Sequence, residues 1–199
     1  MLGKLVLNNE SYIISESNLP CLITYGEHMG GSHLSIVLIA NLFLSGSKIL
    51  FLTAYPMARE NFLEQIGNDH SDVAFVDSIS ELEKSLNAQA IILKSGDEAL
   101  FLEAVKILPD LQERVVLIKN MEVFSEVILD ISLTIEKIIL SGNIDTCVTK
   151  EKIAKKNFKT LIAFNQPEIE IPLTVPVLEK YASFLLSDIT GGVLTLKKD

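Results

Sequence analysis

Short, almost purely apolar runs recur along this chain, and between them lie segments whose apolar residues return every third or fourth position. The runs CLITYG (21–26), KILFLTAY (48–55), VAFVD (73–77), QAIILKS (89–95), RVVLIKN (114–120), KIILSGN (137–143) and KTLIAFN (159–165) read as strands. Their lack of polar alternation places them in a sheet covered on both faces. The intervening segments read as helices. SHLSIVLIANLFLSG (32–46) closes at Gly46, and MARENFLEQIG (57–67) opens after Pro56 and ends at Gly67. ELEKSLN (81–87) can be capped by Ser78 or Ser80, and DEALFLEAVKILPDL (97–111) has acidic residues in its first turn, which suits the helix dipole. EVFSEVILDISLT (122–134) and VLEKYASFLLSD (177–188) also read as helices, and GGVLTLKK (191–198) as a last strand. At the start, KLVLNN and SYIIS form a small hairpin turned at Asn8-Asn9, since asparagine tolerates positive φ.

Apolar strands each followed by a helix predict an α/β fold, with a mostly parallel, doubly wound sheet and helices on both faces. The expected organisation is a single domain over 1–199: the hairpin at 1–18, the core at 19–167, and a helix and strand at 168–199. Composition supports this. The chain has 199 residues and is 48% hydrophobic, enough for a substantial core and against disorder. Its formal charge of −9 opposes coating of nucleic acid over the whole surface. Cys21 and Cys147 are far apart and lack metal-ligand spacing; both read as small core hydrophobes. The N-terminus turns polar too early for a signal peptide. The longest uncharged apolar stretch, 34–44, would make a helix of roughly 16 Å, too short to span a bilayer. The expectation is a cytoplasmic protein without membrane contact.

Parallel sheets of this kind place ligands beyond the C-terminal ends of their strands. The turn after the first core strand is therefore the place to seek chemistry. It runs Gly26, Glu27, His28, Met29, Gly30, Gly31, Ser32, His33. Gly26 and Gly31 have the separation of the glycines in Gly-x4-Gly-Lys-Ser/Thr, the loop whose amides cradle phosphate. The lysine position holds Ser32 and the hydroxyl position His33, so both the phosphate clamp and the usual magnesium ligand are missing. A bare strand-to-helix turn with Ser32 as cap accounts for the same residues.

The series from Leu19 to Pro167 resembles the RecA-like branch of the P-loop NTPases, including the KaiC/RadA type and Elongator-type subunits. In that family the strand after the P-loop helix often ends in a water-orienting acid; here it ends in Ala54-Tyr55-Pro56. The Walker B strand should run into Asp; here VVLIKNME carries Lys119 or Asn120 at that position. IILSGN looks like the sensor-bearing strand, with Ser141 and Asn143 at its polar end. Lys119 could reach a phosphate, and Glu122 or Glu60 could replace an acid. The joint departures still argue against magnesium-dependent hydrolysis. No catalytic residue is assigned, and ATP is the cofactor the resemblance implies.

Other chemistry is thinner. His28 and His33 flank the turn, but no third metal ligand accompanies them, so no metal site is assigned. Asp72, Asp77 and Asp97 sit at strand ends and read as solvated rims. Neither Gly-x-Ser-x-Gly nor Gly-x-Gly-x-x-Gly occurs near the turn. One basic stretch stands out: Lys150, Lys152, Lys155, Lys156 and Lys159, with Phe158 among them. It can hold a nucleic-acid backbone and stack a base, or it is a solvated helix face. Three functions remain open: a non-catalytic subunit that assembles with a protein partner or with itself, a nucleotide or phospho-ligand binder using a variant loop, and a nucleic-acid contact module.

Overall fold

The computed structural model describes residues 5–7, 10–12, 15–25, 31–67, 70–93, 97–164, 182–187 and 191–195. Its strands are β1 (Leu5–Leu7), β2 (Glu10–Tyr12), β3 (Cys21–Tyr25), β4 (Ile49–Thr53), β5 (Val73–Val76), β6 (Ala90–Leu93), β7 (Val115–Lys119), β8 (Ile138–Gly142), β9 (Thr160–Phe164), β10 (Ala182–Ser187) and β11 (Gly191–Thr195). The helices are α1 (Gly31–Leu44), α2 (Met57–Ile66), α3 (Ile79–Lys84), α4 (Glu98–Ile107), α5 (Glu126–Ser132) and α6 (Lys150–Lys155). All the strands join one sheet in the order β2-β1-β11-β10-β9-β3-β8-β7-β4-β6-β5. The seven from β9 to β5 are mutually parallel, and β10, β11, β1 and β2 extend the β9 side antiparallel.

The two faces of the sheet can be read from residue parity. Cys21, Ile23, Ile49, Phe51, Val115, Leu117 and Ile139 join α1 and α2 in one core. Their neighbours Leu22, Leu50, Leu52, Val116, Ile118, Ile138 and Leu140 join α3, α4, α5 and α6 in the other. Successive strand side chains point to opposite faces, so an uninterrupted apolar run feeds both cores at once. This is the doubly wound arrangement that the runs predict. Helix α1 is apolar almost all round, with ten of its fourteen residues buried. It lies over β3, β7 and β8 and against α2, as a helix without a polar face must. Each fully buried leucine, isoleucine or phenylalanine there contributes about 1.5–3 kcal/mol by leaving water.

Two expectations are corrected. The segment 182–187, read as part of a helix, is strand β10, bonded to β9 on one side and β11 on the other. Two full ladders outweigh a helical spacing of apolar residues. The single helix expected over 122–134 is broken: a 3-10 turn spans Met121–Val123 and α5 starts after Ser125. Phe124 between them is extended and buried in the second core, and the Ser125 hydroxyl caps α5. The N-terminal hairpin is present as β1 and β2, but it is docked onto the main sheet through β11. Its turn residues Asn8-Asn9 lie outside the described residues. Elsewhere Ser78, not Ser80, caps α3, accepting from the Glu81 amide. Among the described residues no helix is long and apolar enough to cross a membrane.

Candidate functional site

The site grows from the C-terminal ends of the central strands on the α1 face. Tyr25 follows Cys21 and Ile23 in parity, Ser141 follows Ile139, Lys119 follows Leu117, and Thr53 follows Phe51. Register sets them side by side: Lys119 pairs with Ser141 on β8 and with Thr53 on β4. Ser141 also pairs with Ile23 on β3, two residues before Tyr25. The first turn of α1, Gly31 and Ser32, sits above this row.

Lys119 is the centre of it. Its side chain is almost entirely buried, with 5% of the residue exposed. The ammonium donates to Ser32 Oγ at 2.7 Å and to Asn120 Oδ1 at 2.9 Å. Among the described residues it has no carboxylate within ion-pair distance. Burial pushes its pKa from the ordinary 10.5 down to about 8, and the nearby Glu122 charge pulls the other way. The first turn of α1, whose Ser32 meets the ammonium, brings the positive end of the helix dipole to the same place and contains no acidic residue to offset it. A buried ammonium and a helix N-terminus repel each other. Together they make a favourable setting for an anion.

The surroundings hold Lys119 in position. Asn120 takes the left-handed conformation, φ 63° and ψ 54°, which asparagine tolerates better than most residues. This turns the chain sharply after β7 and lets the Asn120 amide face back to Lys119. Glu122 accepts from the Asn143 amide at 3.0 Å and lies 3.5 Å from Asn120 Nδ2. Gly142 makes room for it: at φ 155°, a Cβ there would strike Glu122 Oε2 and the Met121 backbone. Ser141 donates to Tyr25 Oη at 3.3 Å, and burial raises the Tyr25 pKa. The Tyr25 ring lies directly against Gly31, so a Cβ at position 31 would overlap it. Gly31 is thus required by packing as well as by the motif.

Of the eight loop residues singled out in the sequence, Gly26, Glu27, His28, Met29 and Gly30 lie outside the described residues. Gly31 and Ser32 are in the site, and His33 faces solvent on the first turn of α1. Lys119 stands outside that loop, yet its ammonium lies against Ser32. The signal was parity: in RVVLIKN, the lysine falls on the same face as Val115 and Leu117.

The lysine stretch is organised differently. Lys150 bonds Asp145 at 2.6 Å, and Lys152 bridges Glu126 at 2.8 Å and Asp130 at 2.6 Å. Lys156 donates to the Leu133 carbonyl at 2.6 Å. Phe158 packs against the second core. Lys155 and Lys159 are exposed. Three of the five lysines are engaged with α5 and neighbouring segments, and the aromatic that would stack a base is partly buried.

No protein-family model matches the chain, and no curated protein matches it in sequence. Solved structures do. The genome packaging NTPase B204 from Sulfolobus turreted icosahedral virus 2, in complex with sulfate, superposes with a TM-score of 0.60 at 14% identity over 88% of this chain and 94% of that one. The same NTPase in complex with AMPPCP gives 0.59 at 12% identity, over 88% and 96%. At this identity the likeness speaks for the fold and does not single out the KaiC/RadA or Elongator type. The chain shares the α/β fold of that NTPase, and its candidate site lies at the C-terminal ends of the central parallel strands.

Proposed function

We propose that this protein binds the phosphate chain of a nucleotide at the start of α1 without hydrolysing it. One observation carries the reading: the Lys119 ammonium lies 2.7 Å from Ser32 Oγ. By sequence, Ser32 stands where a P-loop has its lysine. The cation missing from the loop is supplied from β7, two strands across from β3, at the same end of the sheet. The structural neighbour takes sulfate and AMPPCP, both anionic, which supports an anion site in this fold.

The same substitution argues against turnover. Lys119 occupies the position where hydrolysis needs a metal-binding carboxylate, and the end of β4 runs into Ala54 and Tyr55 where the water-orienting acid would stand. A phosphate held by Lys119, Ser32 and helix amides has a binding site without a nucleophile-activating group. The test is ATP titration by calorimetry beside phosphate release with magnesium. Saturable binding with release at background is expected. Turnover near about one per second would overturn the non-hydrolytic half, and no saturable binding would overturn the other.

A second reading, a non-catalytic role in assembly, is favoured by Val123 and Val127, which are 47% and 54% exposed at the sheet's C-terminal side. A concentration-dependent mass in light scattering, lost in Val123→Asp with Val127→Asp, would support it. A monomer at every concentration would remove self-assembly.

A further inference from the structure

The donor set of the site bears on which form of phosphate ligand it accepts. P-loop NTPases take their nucleotide with magnesium, the metal being held by a loop hydroxyl and a carboxylate at the end of the Walker B strand. Here the group at the end of that strand is the ammonium of Lys119, and the residue at the loop hydroxyl position, His33, is exposed to solvent. Glu122, the nearby carboxylate, is held by the Asn143 amide and lies beside Asn120. An ammonium cannot take the carboxylate's part as a metal ligand, and it repels a divalent cation placed directly beside it. The residues present do not fit magnesium.

Resting on the phosphate-binding reading, we propose that the site takes its phosphate ligand free of metal, with the Lys119 ammonium standing in for the divalent cation. Three features support this independently of the loop sequence. Lys119 is nine-tenths buried or more. Its described acceptors, Ser32 Oγ and Asn120 Oδ1, are both neutral, and the nearby Glu122 charge favours the ammonium only in part, since burial still lowers its pKa. The third ammonium proton has no acceptor among the described residues. A buried cation in this condition is costly unless an anion is supplied. A phosphate oxygen would compensate the charge and accept that proton, while the amides at the start of α1 would take the other oxygens. Magnesium-complexed ATP offers fewer free oxygens and less negative charge, so it is the poorer ligand.

The experiment is calorimetric titration of the full chain with ATP, once in EDTA and once in excess magnesium, for wild type and Lys119→Met. Thermal melts establish that the variant folds. Wild type is expected to bind ATP more tightly in EDTA than in magnesium. Lys119→Met should lose ~10- to 100-fold in EDTA, the worth of one hydrogen bond to a charged group. Binding that requires magnesium would overturn metal-free recognition and leave the phosphate-binding reading standing. No binding under either condition would overturn both. A folded Lys119→Met that binds as well as wild type in EDTA would overturn the role of Lys119. Because the wild-type comparison needs no mutant, the proposal is decided even if the variant fails to fold.

Discussion

Strand β7 has a buried cation at each end, and the two are treated in opposite ways. Arg114, immediately before the strand, is fully buried. Its Nε donates to Asp110 at 2.7 Å, and its other nitrogens donate to the carbonyls of Ile49, Ala88, Gln89 and Leu86 at 2.9–3.3 Å. Asp110 is further held by Lys48, and these two cations keep its carboxyl below the usual range. Lys119, the strand's last residue, has two neutral acceptors and no carboxylate partner among the described residues. Arg114 is a completed structural joint between the N-terminal ends of β4 and β6 and the loop at 86–89. Lys119 is an incomplete one. A buried charge that the protein satisfies itself serves the fold, whereas one left partly unsatisfied is a candidate for a site.

The sharpest way to test that contrast is to remove each cation in turn. Arg114→Met should destabilise the protein by about 3–5 kcal/mol, since it leaves the carbonyls of Ile49, Leu86, Ala88 and Gln89 without their donor and Asp110 with Lys48 alone. Urea unfolding measures it, and a loss below about 1 kcal/mol would erase the distinction between the two ends. Gly31→Ala comes next. Its methyl must displace the Tyr25 ring, at a cost of about 1–3 kcal/mol for overpacking, more than the helix propensity gained. Unchanged stability would mean the ring moves freely and that Gly31 is not a packing requirement.

Lys119→Met should leave stability at neutral pH unchanged or raise it, because a buried cation is replaced by an apolar side chain of similar length. The pH dependence gives the sign. The folded-state pKa of about 8 lies below the ordinary 10.5, so between those values the unfolded chain holds more protons. Stability then rises with pH across that window, and the burial cost is in full force below about pH 8. Wild-type melting between pH 7 and 10 should show this contribution and Lys119→Met should lack it; identical profiles would place the lysine in water. The smallest effect belongs to Lys155→Glu with Lys159→Glu, two exposed positions. Unfolding stability should change by no more than about 0.5 kcal/mol per site. A larger loss would show that these lysines are integrated into the fold as Lys152 and Lys156 are.

Most of the fold was legible because the two-face burial of each central strand wrote itself as an unbroken apolar run. The seven parallel strands and the helix between β3 and β4 follow from that pattern. The C-terminal strand β10 was not legible. ASFLLS has the spacing of a helix face, and only its two antiparallel neighbours, distant or later in the chain, make it extended. The break at Phe124 was hidden for a similar reason: a buried aromatic between two helical turns looks like part of one helix. The site was half legible. The glycine turn located it, but the loop alone shows a missing lysine and not its replacement. Lys119 lies 87 residues after Ser32, and only strand order and parity bring the two together. The lysine stretch was legible only as charge, since sequence shows five lysines but not the acids of α5 that Lys152 bridges.

The central claim is that Lys119 is a buried cation prepared for an anion, and its own titration tests this most directly. In protein labelled at the lysine ε positions, NMR should show one amine, absent in Lys119→Met, titrating near pH 8. Adding ATP in EDTA should move that pKa upward, because a bound phosphate favours the charged form. An amine titrating near the ordinary 10.5, or one near 8 whose titration ATP leaves unmoved, would contradict the account.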